Sequence, residues 1–220
     1  NEADVLESLE HLKKENVESV AICFMNSFAN RDHELRAARI VREQLPHAYL
    51  TVSSRLLPSI RFYDRISTTV LNSYVGPILR NYLSSLTSKL RDAGFEGVLL
   101  IMQSNGGVIS PEIAIDRAAA TLLSGPAGGP VAGIAYTSIQ GYKDCITIDM
   151  GGTSFDAALI KDRKPLLTTE GEINRLRLAL PMLGIVTIGA GGGSIGWIDD
   201  GGLLRMGPQS AGAKPGPACY

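Results

Sequence analysis

Cysteine is scarce and odd in number, with only Cys23, Cys145 and Cys219 in 220 residues. The three lie far apart with no CxxC spacing, so neither a disulfide framework nor a thiolate metal site is indicated. Cys23 and Cys145 fall inside apolar strand-like runs, where inert buried thiols are expected. Histidine is equally sparse, at His11, His33 and His47. Without an HxxH or HExxH spacing or an acid cluster beside one, a catalytic zinc is not indicated. Excess charge is missing too: 21 Lys and Arg face 22 Asp and Glu, a formal net charge of -1. That balance gives no reason to expect nucleic acid or an anionic membrane as a partner. No apolar run approaches the length of a bilayer span, and the N-terminus lacks the basic-then-apolar order of a signal peptide. A reducing, cytoplasmic setting fits these absences. The first residue is not Met, and the chain stops in the turn-like Gly216-Pro217-Ala218-Cys219-Tyr220, so a fragment of a longer protein is expected.

Glycine is abundant, at 24 residues, while aromatics make up only 6%. The pattern is that of a glycine-turn-rich α/β chain with enough length for one large or two small cores. Apolar spacing predicts a helix over 4–14, a strand over 17–25, a helix from Asn30 or Asp32 to Leu45 and a strand over 49–53. A long helix over 66–91 carries Val70, Leu71, Tyr74, Val75, Ile78, Leu79, Tyr82, Leu83, Leu86 and Leu90 on one face. Gly76-Pro77 predicts a kink or a break there. Just before it, Arg61-Phe62-Tyr63-Asp64-Arg65 reads either as capping with a surface ion pair or as the edge of a cleft.

The chain is organised around Cys145–Ile160. This stretch reads as a strand, a tight Gly151-Gly152 turn carrying Asp149 and Thr153, and a returning strand with Asp156 at its start. Bare glycine backbone lets N–H groups approach a phosphate closely, and a carboxylate at the strand end can hold the magnesium that accompanies nucleotide. An ordinary glycine hairpin with exposed acids is the competing reading.

Three further features bear on it. Gly97–Gln103 reads as an apolar strand running into Ser104-Asn105-Gly106-Gly107, either a plain Asn-Gly turn or a loop offering hydrogen bonds to a ligand. Ser124-Gly125-Pro126 opens a helix towards Gln140, and the glycines tolerated inside it imply a backbone lying close against a neighbour. Ile188–Ile195 contains Gly189-Ala190-Gly191-Gly192-Gly193-Ser194, which reads as a tight bend or as a second phosphate-facing loop. A dinucleotide-binding turn would have to open a helix, whereas a strand is expected to follow here. Residues 164–169 and 175–180 read as strands, and Asp199-Asp200 as a hairpin turn.

A small-residue helix running into this strand-turn-strand resembles the connecting helix and second phosphate loop of the actin, sugar-kinase and heat-shock chaperone ATPases. More specifically, the chain is similar to the hydantoinase A and 5-oxoprolinase family, which includes acetone-type carboxylase subunits. The motifs that carry the likeness are Ser67–Asn72, Ile101–Gly107, Leu123–Gly128, Asp149–Ser154, Ile188–Ile195 and Gly212–Tyr220. The family's first phosphate hairpin is not in this sequence, nor is its acidic region beyond Tyr220. The phosphate loop departs from the family's usual Thr-Asp ending by reading Ser154-Phe155-Asp156.

The resemblance implies an actin-like (ribonuclease H-like) α/β ATPase fold. Residues 1–125 would be the later part of lobe one, 126–140 a linking helix and 141–220 the opening part of lobe two. It implies ATP and Mg2+ as cofactors and an ATP-dependent hydrolase that phosphorylates the carbonyl oxygen of a hydantoin- or 5-oxoproline-type cyclic amide. A hydantoinase B-type second subunit or domain would be the partner. Asp149, Thr153 and Asp156 would be catalytic, with Asp149 on the metal. Gly151, Gly152, Thr153 and Gly191, Gly192, Gly193, Ser194 would hold phosphate, and Ser104 and Asn105 would face the substrate. A carboxylase subunit, or a nucleotide-switched binding module without small-molecule chemistry, is the alternative.

Overall fold

The computed structural model describes residues 1–212, 214, 216 and 217. Cys219 and most of the closing Gly212–Tyr220 motif therefore lie outside the described residues. Elements run in the order α1 (Glu2–Lys14), β1 (Ser19–Ile22), α2 (Asp32–Gln44), β2 (Tyr49–Val52), α3 (Ser53–Leu56), α4 (Phe62–Asp92), β3 (Ile101–Met102), β4 (Val108–Ile109) and α5 (Pro111–Asp116). Then follow α6 (Gly128–Ile139), β5 (Cys145–Met150), β6 (Phe155–Lys161), β7 (Lys164–Pro165), β8 (Leu167–Thr168), β9 (Gly171–Ile173), β10 (Leu176–Leu178), β11 (Met182–Leu183), β12 (Ile185–Ile188), β13 (Ser194–Ile198) and β14 (Leu204–Ser210). No helix among the described residues is long and apolar enough to cross a membrane.

Two compact units result, Asn1–Leu122 with Thr168–Met182, and Leu123–Leu167 with Leu183–Tyr220. Residues 168–182, which the sequence partition counts with the second lobe, pack with the first unit. Leu178, Leu180 and Met182 share a core with Leu56, Leu71 and Ala119, and the Ala179 N–H donates to Thr68 Oγ1 at 2.9 Å.

In the first unit, β1 and β2 pair in parallel from Ser19 opposite Tyr49 to Ile22 opposite Val52. Leu9 of α1 and Ala37, Ala38 and Val41 of α2 close over Val20, Ile22 and Val52. Glu34 is buried at the end of this layer, where its carboxylate accepts from Phe24 N–H (2.7 Å), Ser53 Oγ (2.7 Å) and Ser54 N–H (2.9 Å). Burial alone would raise its pKa, but the hydrogen bonds from Ser53, Phe24 and Ser54 outweigh it and hold the group below its ordinary value. A depressed folded pKa means that the unfolded chain takes up the proton first. The stability Glu34 adds is thus present above about pH 4.3 and is lost as pH falls through the lower folded value. In urea titrations, Glu34→Gln should lower the midpoint at neutral pH and show a shallower decline below about pH 4.3. Parallel pH profiles for the two proteins would refute the assignment.

The long helix differs from expectation in two ways. It begins at Phe62, so Arg65 lies inside it, and it runs to Asp92 without a break at Pro77. Gly76 explains the site: a β-carbon there would sit 2.2 Å from the Tyr49 ring, so the bare backbone admits that side chain. The expected apolar face is only partly covered: Leu71 and Leu83 are buried, whereas Tyr74 and Ile78 are 74% and 68% exposed. Arg65, Thr68, Thr69, Asn72, Ser73 and Gly76 are buried as well, a polar set the periodicity did not single out. Asn72 is the hub of this polar set, with Nδ2 facing Tyr49 Oη (3.1 Å), Thr51 Oγ1 (3.0 Å) and the Asp116 carbonyl (3.2 Å). Its Oδ1 accepts from Ala119 N–H at 2.8 Å. The Arg61–Asp64 pair is a surface contact at 3.7 Å, the ion pair of that reading, while Arg61 at the N-cap makes no side-chain cap bond.

In the second unit, antiparallel strands run in the order β12-β6-β5, with β7 on β6. One face of this sheet receives α6, where a β-carbon on Gly133 would lie 2.3 Å from Thr147 Cγ2. The close approach expected of that helix is made at Gly133, while Gly128 and Gly129 border open space. The helix starts at Gly128, two residues later than expected, with Ala127 at the cap and no side-chain cap bond. The other face carries Ile146, Ile148, Met150, Leu159, Val186 and Ile188, all exposed. Cys23 and Cys145 are only partly buried, which corrects the expectation of buried thiols. Both lie near strand ends or partly covered faces rather than in either core cluster.

Candidate phosphate and metal site

The hairpin of β5 and β6 sets Asp149 directly opposite Asp156, with Met150 opposite Phe155 closing the ladder. Thr187 of β12 lies opposite Asp156 on its other side and donates from Oγ1 to Asp156 Oδ1 at 2.5 Å. Three neighbouring strands therefore align Asp149, Asp156 and Thr187 in one row on the face that α6 covers. A hollow of about 220 Å³ opens there, lined by Asp149, Asp156, Thr147, Ile185 and the first-turn residues Gly129 and Pro130. Like charges set opposite one another across a strand pair disfavour the arrangement, and no basic residue lines the hollow to offset them. Two hard carboxylates with such a surplus of negative charge fit a magnesium ion, which takes one or two protein carboxylates and fills its shell with water and phosphate oxygens. No group of three or more potential metal ligands occurs among the described residues.

The bend itself is exposed at Gly151 and Thr153. Gly151 N–H is tied to the Ser154 carbonyl at 3.0 Å. The N–H groups of Gly152, Thr153 and Ser154 have no hydrogen-bond partner among the described residues. Successive free amides in a tight turn form a concavity suited to an anion.

The second glycine loop takes a different part from the one expected of it. Gly192 N–H donates to the Gly151 carbonyl and Gly193 N–H to the Gly152 carbonyl, both at 2.8 Å. Gly191 N–H donates to Ser194 Oγ at 2.9 Å. The amides of Gly191, Gly192 and Gly193 are thus spent inside the protein, and the loop braces the bend instead of presenting those groups to phosphate. The glycines are required because a β-carbon on Gly191 would lie 2.6 Å from Gly151 O and Thr153 N, and one on Gly193 2.8 Å from Gly152 O. We expect Gly191→Ala to cost roughly 1–3 kcal/mol, as overpacking does, read as a lower urea midpoint. A midpoint equal to wild type would show that the loops can part freely. A strand, β13, follows this loop, as the argument against a dinucleotide turn required.

Ser104 and Asn105, expected to face the substrate, lie in the first unit and serve their own loop. Ser104 is 3% exposed, and its hydroxyl faces the carbonyls of Ala120, at 2.8 Å, and Leu122. Asn105 Oδ1 accepts from Gly107 N–H at 2.8 Å, the geometry of an Asx turn. Both hold their loop in shape. Asp199 likewise belongs to its hairpin turn, accepting from Gly201, Leu203 and Arg205.

The family model described as Hydantoinase/oxoprolinase matches residues 65–220, and that of the Hydantoinase/oxoprolinase N-terminal region matches residues 1–45. The chain belongs to the hydantoinase/oxoprolinase family. It is 39% identical over 220 residues to caprolactamase subunit alpha of Pseudomonas jessenii, covering 100% of this chain and 32% of that protein. With the 5-oxoprolinase of Saccharomyces cerevisiae it shares 35% over 225 residues, covering 100% of this chain and 17% of the enzyme. The crystal structure of the ATP-dependent caprolactamase from Pseudomonas jessenii superposes with a TM-score of 0.87 at 38% identity, over 100% of this chain and 32% of that one. A nucleotide-free acetone carboxylase structure, from work on ATP-dependent acetone carboxylation, gives 0.77 at 29% identity, over 96% and 30%. The chain spans a third or less of these relatives' lengths.

Within this hydantoinase/oxoprolinase chain, Thr187 is the residue that sequence reasoning missed. It stands in an apolar strand with no motif around it, and only the pairing of β12 with β6 brings it to Asp156. The Ser67–Asn72 motif, by contrast, serves the interior of the first unit through Thr68, Thr69 and Asn72.

Proposed function

We propose that the intact protein is an ATP-dependent cyclic amidohydrolase in which this chain supplies one of two phosphate-gripping hairpins. The observation that carries the reading is the exposed bend. It joins two register-paired carboxylates, Asp149 and Asp156, to three amides without partners among the described residues, at Gly152, Thr153 and Ser154. The fold would be actin-like, with residues 1–125 in the first lobe, 126–140 linking and 141–220 opening the second, apart from 168–182, which pack with the first unit. Family membership and the superposition on an ATP-dependent caprolactamase support this.

In the proposed reaction the lactam carbonyl oxygen attacks the γ-phosphorus of ATP. A new P–O bond forms, the bond to the ADP oxygen breaks, and the O-phosphorylated ring carbon becomes electrophilic. Water adds to that carbon, the C–N bond of the tetrahedral adduct breaks as the ring nitrogen takes a proton, and the acyl phosphate left behind is hydrolysed by a second water to a carboxylate and inorganic phosphate, giving an amino acid. Phosphoryl transfer of this kind depends on positioning and charge stabilisation. Asp149 and Asp156 would hold Mg2+, which when bound neutralises charge on the phosphate oxygens. Thr187 fixes the Asp156 carboxylate by donating to one of its oxygens from the β12 side. The amides of Gly152 and Thr153 would orient the terminal phosphates, and the Gly191–Ser194 loop keeps that curve rigid. A hydantoinase B-type subunit or domain would complete the assembly, consistent with relatives named as subunits.

Phosphate release by the full-length protein tests the reading. Stimulation by a lactam, hydantoin or 5-oxoproline, with ring opening in equal amount, supports it. Stimulation only by a ketone with bicarbonate would make the protein a carboxylase, the class of the second structural neighbour. Stimulation only by a protein partner would make it a nucleotide-switched binding module.

A further inference from the structure

The first unit contains a second charged hollow that the nucleotide reading leaves unused. It encloses about 250 Å³ beside β2 and is lined by Arg42 from the end of α2, Arg55 from α3, and Asp116 and Arg117 from the end of α5. Leu50 and Ile113 supply apolar wall. Three arginines against one aspartate leave an excess of two positive charges (3 − 1 = 2) in a chain whose net charge is -1. None of the three arginines makes an ion pair among the described residues. Arg117 Nη2 donates to the Leu56 carbonyl at 3.3 Å, which fixes the side chain and leaves its other donors free.

Such a concentration is not the pattern of a solvated surface, where charges of both signs are interspersed. Guanidinium forks bind carboxylates in pairs of parallel hydrogen bonds. The hollow also borders the C-terminal end of a parallel strand, since Arg55 comes three residues after Val52 ends β2. Loops at that end of a parallel sheet are where α/β proteins take ligands. The volume lies below the usual range for drug-sized ligands, so the occupant is small.

The geometry points to a binding site for a small dicarboxylate, its two charges matched to the surplus of the lining and its short carbon chain to Leu50 and Ile113. The site involves none of the residues assigned to ATP, and the inference stands whether or not the amidohydrolase reading does.

Equilibrium dialysis of the full-length protein against labelled succinate at constant ionic strength tests it. Saturable binding is expected, weakened about tenfold or more in Arg42→Gln/Arg55→Gln, whose side chains are exposed and make no ion pair that folding needs. Arg36→Gln, which breaks the surface pair with Glu2, serves as the control and should bind as wild type. Absence of saturable binding, equal binding in the double variant, or tighter binding of inorganic phosphate than of succinate would each overturn the inference.

Discussion

Asp149→Ala in the full-length protein is expected to lower lactam-stimulated ATP turnover on the order of 10²- to 10³-fold, the usual effect of deleting one charge-organising group. The carboxylate sits on the next-to-last residue of β5, exposed to solvent and matched across the ladder by Asp156. Because it lies at the surface and contacts no buried core residue, its removal should leave the folded protein intact. It should even relieve the like-charge opposition with Asp156. The expected signature is therefore lost turnover with an unchanged or higher urea midpoint, together with a raised Mg2+ requirement in Asp149→Asn. Full turnover in Asp149→Ala would remove the pair from the chemistry.

The largest effect on stability is expected at Arg65. This side chain is fully buried in α4 and donates to the carbonyls of Phe24 and Met25, each at 2.6 Å, and to that of Ser59. Its guanidinium carbon lies 5.7 Å from the Phe28 ring centre and 5.5 Å from that of Phe62. No carboxylate pairs with it among the described residues. The charge is held by carbonyl dipoles and aromatic faces, which pins the turn after β1 and the segment before α4 to one helix position. Arg65→Met keeps much of the volume but strands the Met25 and Ser59 carbonyls, each worth about 1–3 kcal/mol when left unsatisfied, while that of Phe24 keeps the Ser27 hydroxyl at 3.0 Å. A loss of roughly 3–5 kcal/mol is expected in denaturant unfolding of the full-length protein. Arg65→Lys should recover only part of it, since an ammonium cannot reproduce the fork. A methionine variant within about 1 kcal/mol of wild type would show that water replaces the guanidinium.

How much of this was legible in the sequence depended on whether the signal was local. The β5–β6 hairpin follows from alternation and two glycines, and its register from a short turn, so Asp149 and Asp156 were found together. The density of glycine at 189–193 left a tight bend and a phosphate-facing loop as the two readings, and Gly191 and Gly193 are where a β-carbon would collide. Periodicity could not say what approached, and the partner is backbone of the same unit. On α4 the spacing found Leu71 and Leu83, which are buried, but not the polar residues buried beside them. There the Thr68, Thr69 and Asn72 hydroxyls and amide find carbonyl and hydroxyl partners inside. Nothing near Leu178 and Leu180 reveals that they enter a core built over a hundred residues earlier. Thr187 illustrates the same limit, since its place in the row depends on a strand pairing across some thirty residues.

The opposed acids have one more consequence. Whatever cation settles between them converts a repulsion into two attractions, so the hairpin is firmer when loaded than when bare, and by mass action occupancy and local order rise together. On the proposed function, a grip on nucleotide would also tighten the chain's own second unit, with the tension set by how much divalent ion surrounds it.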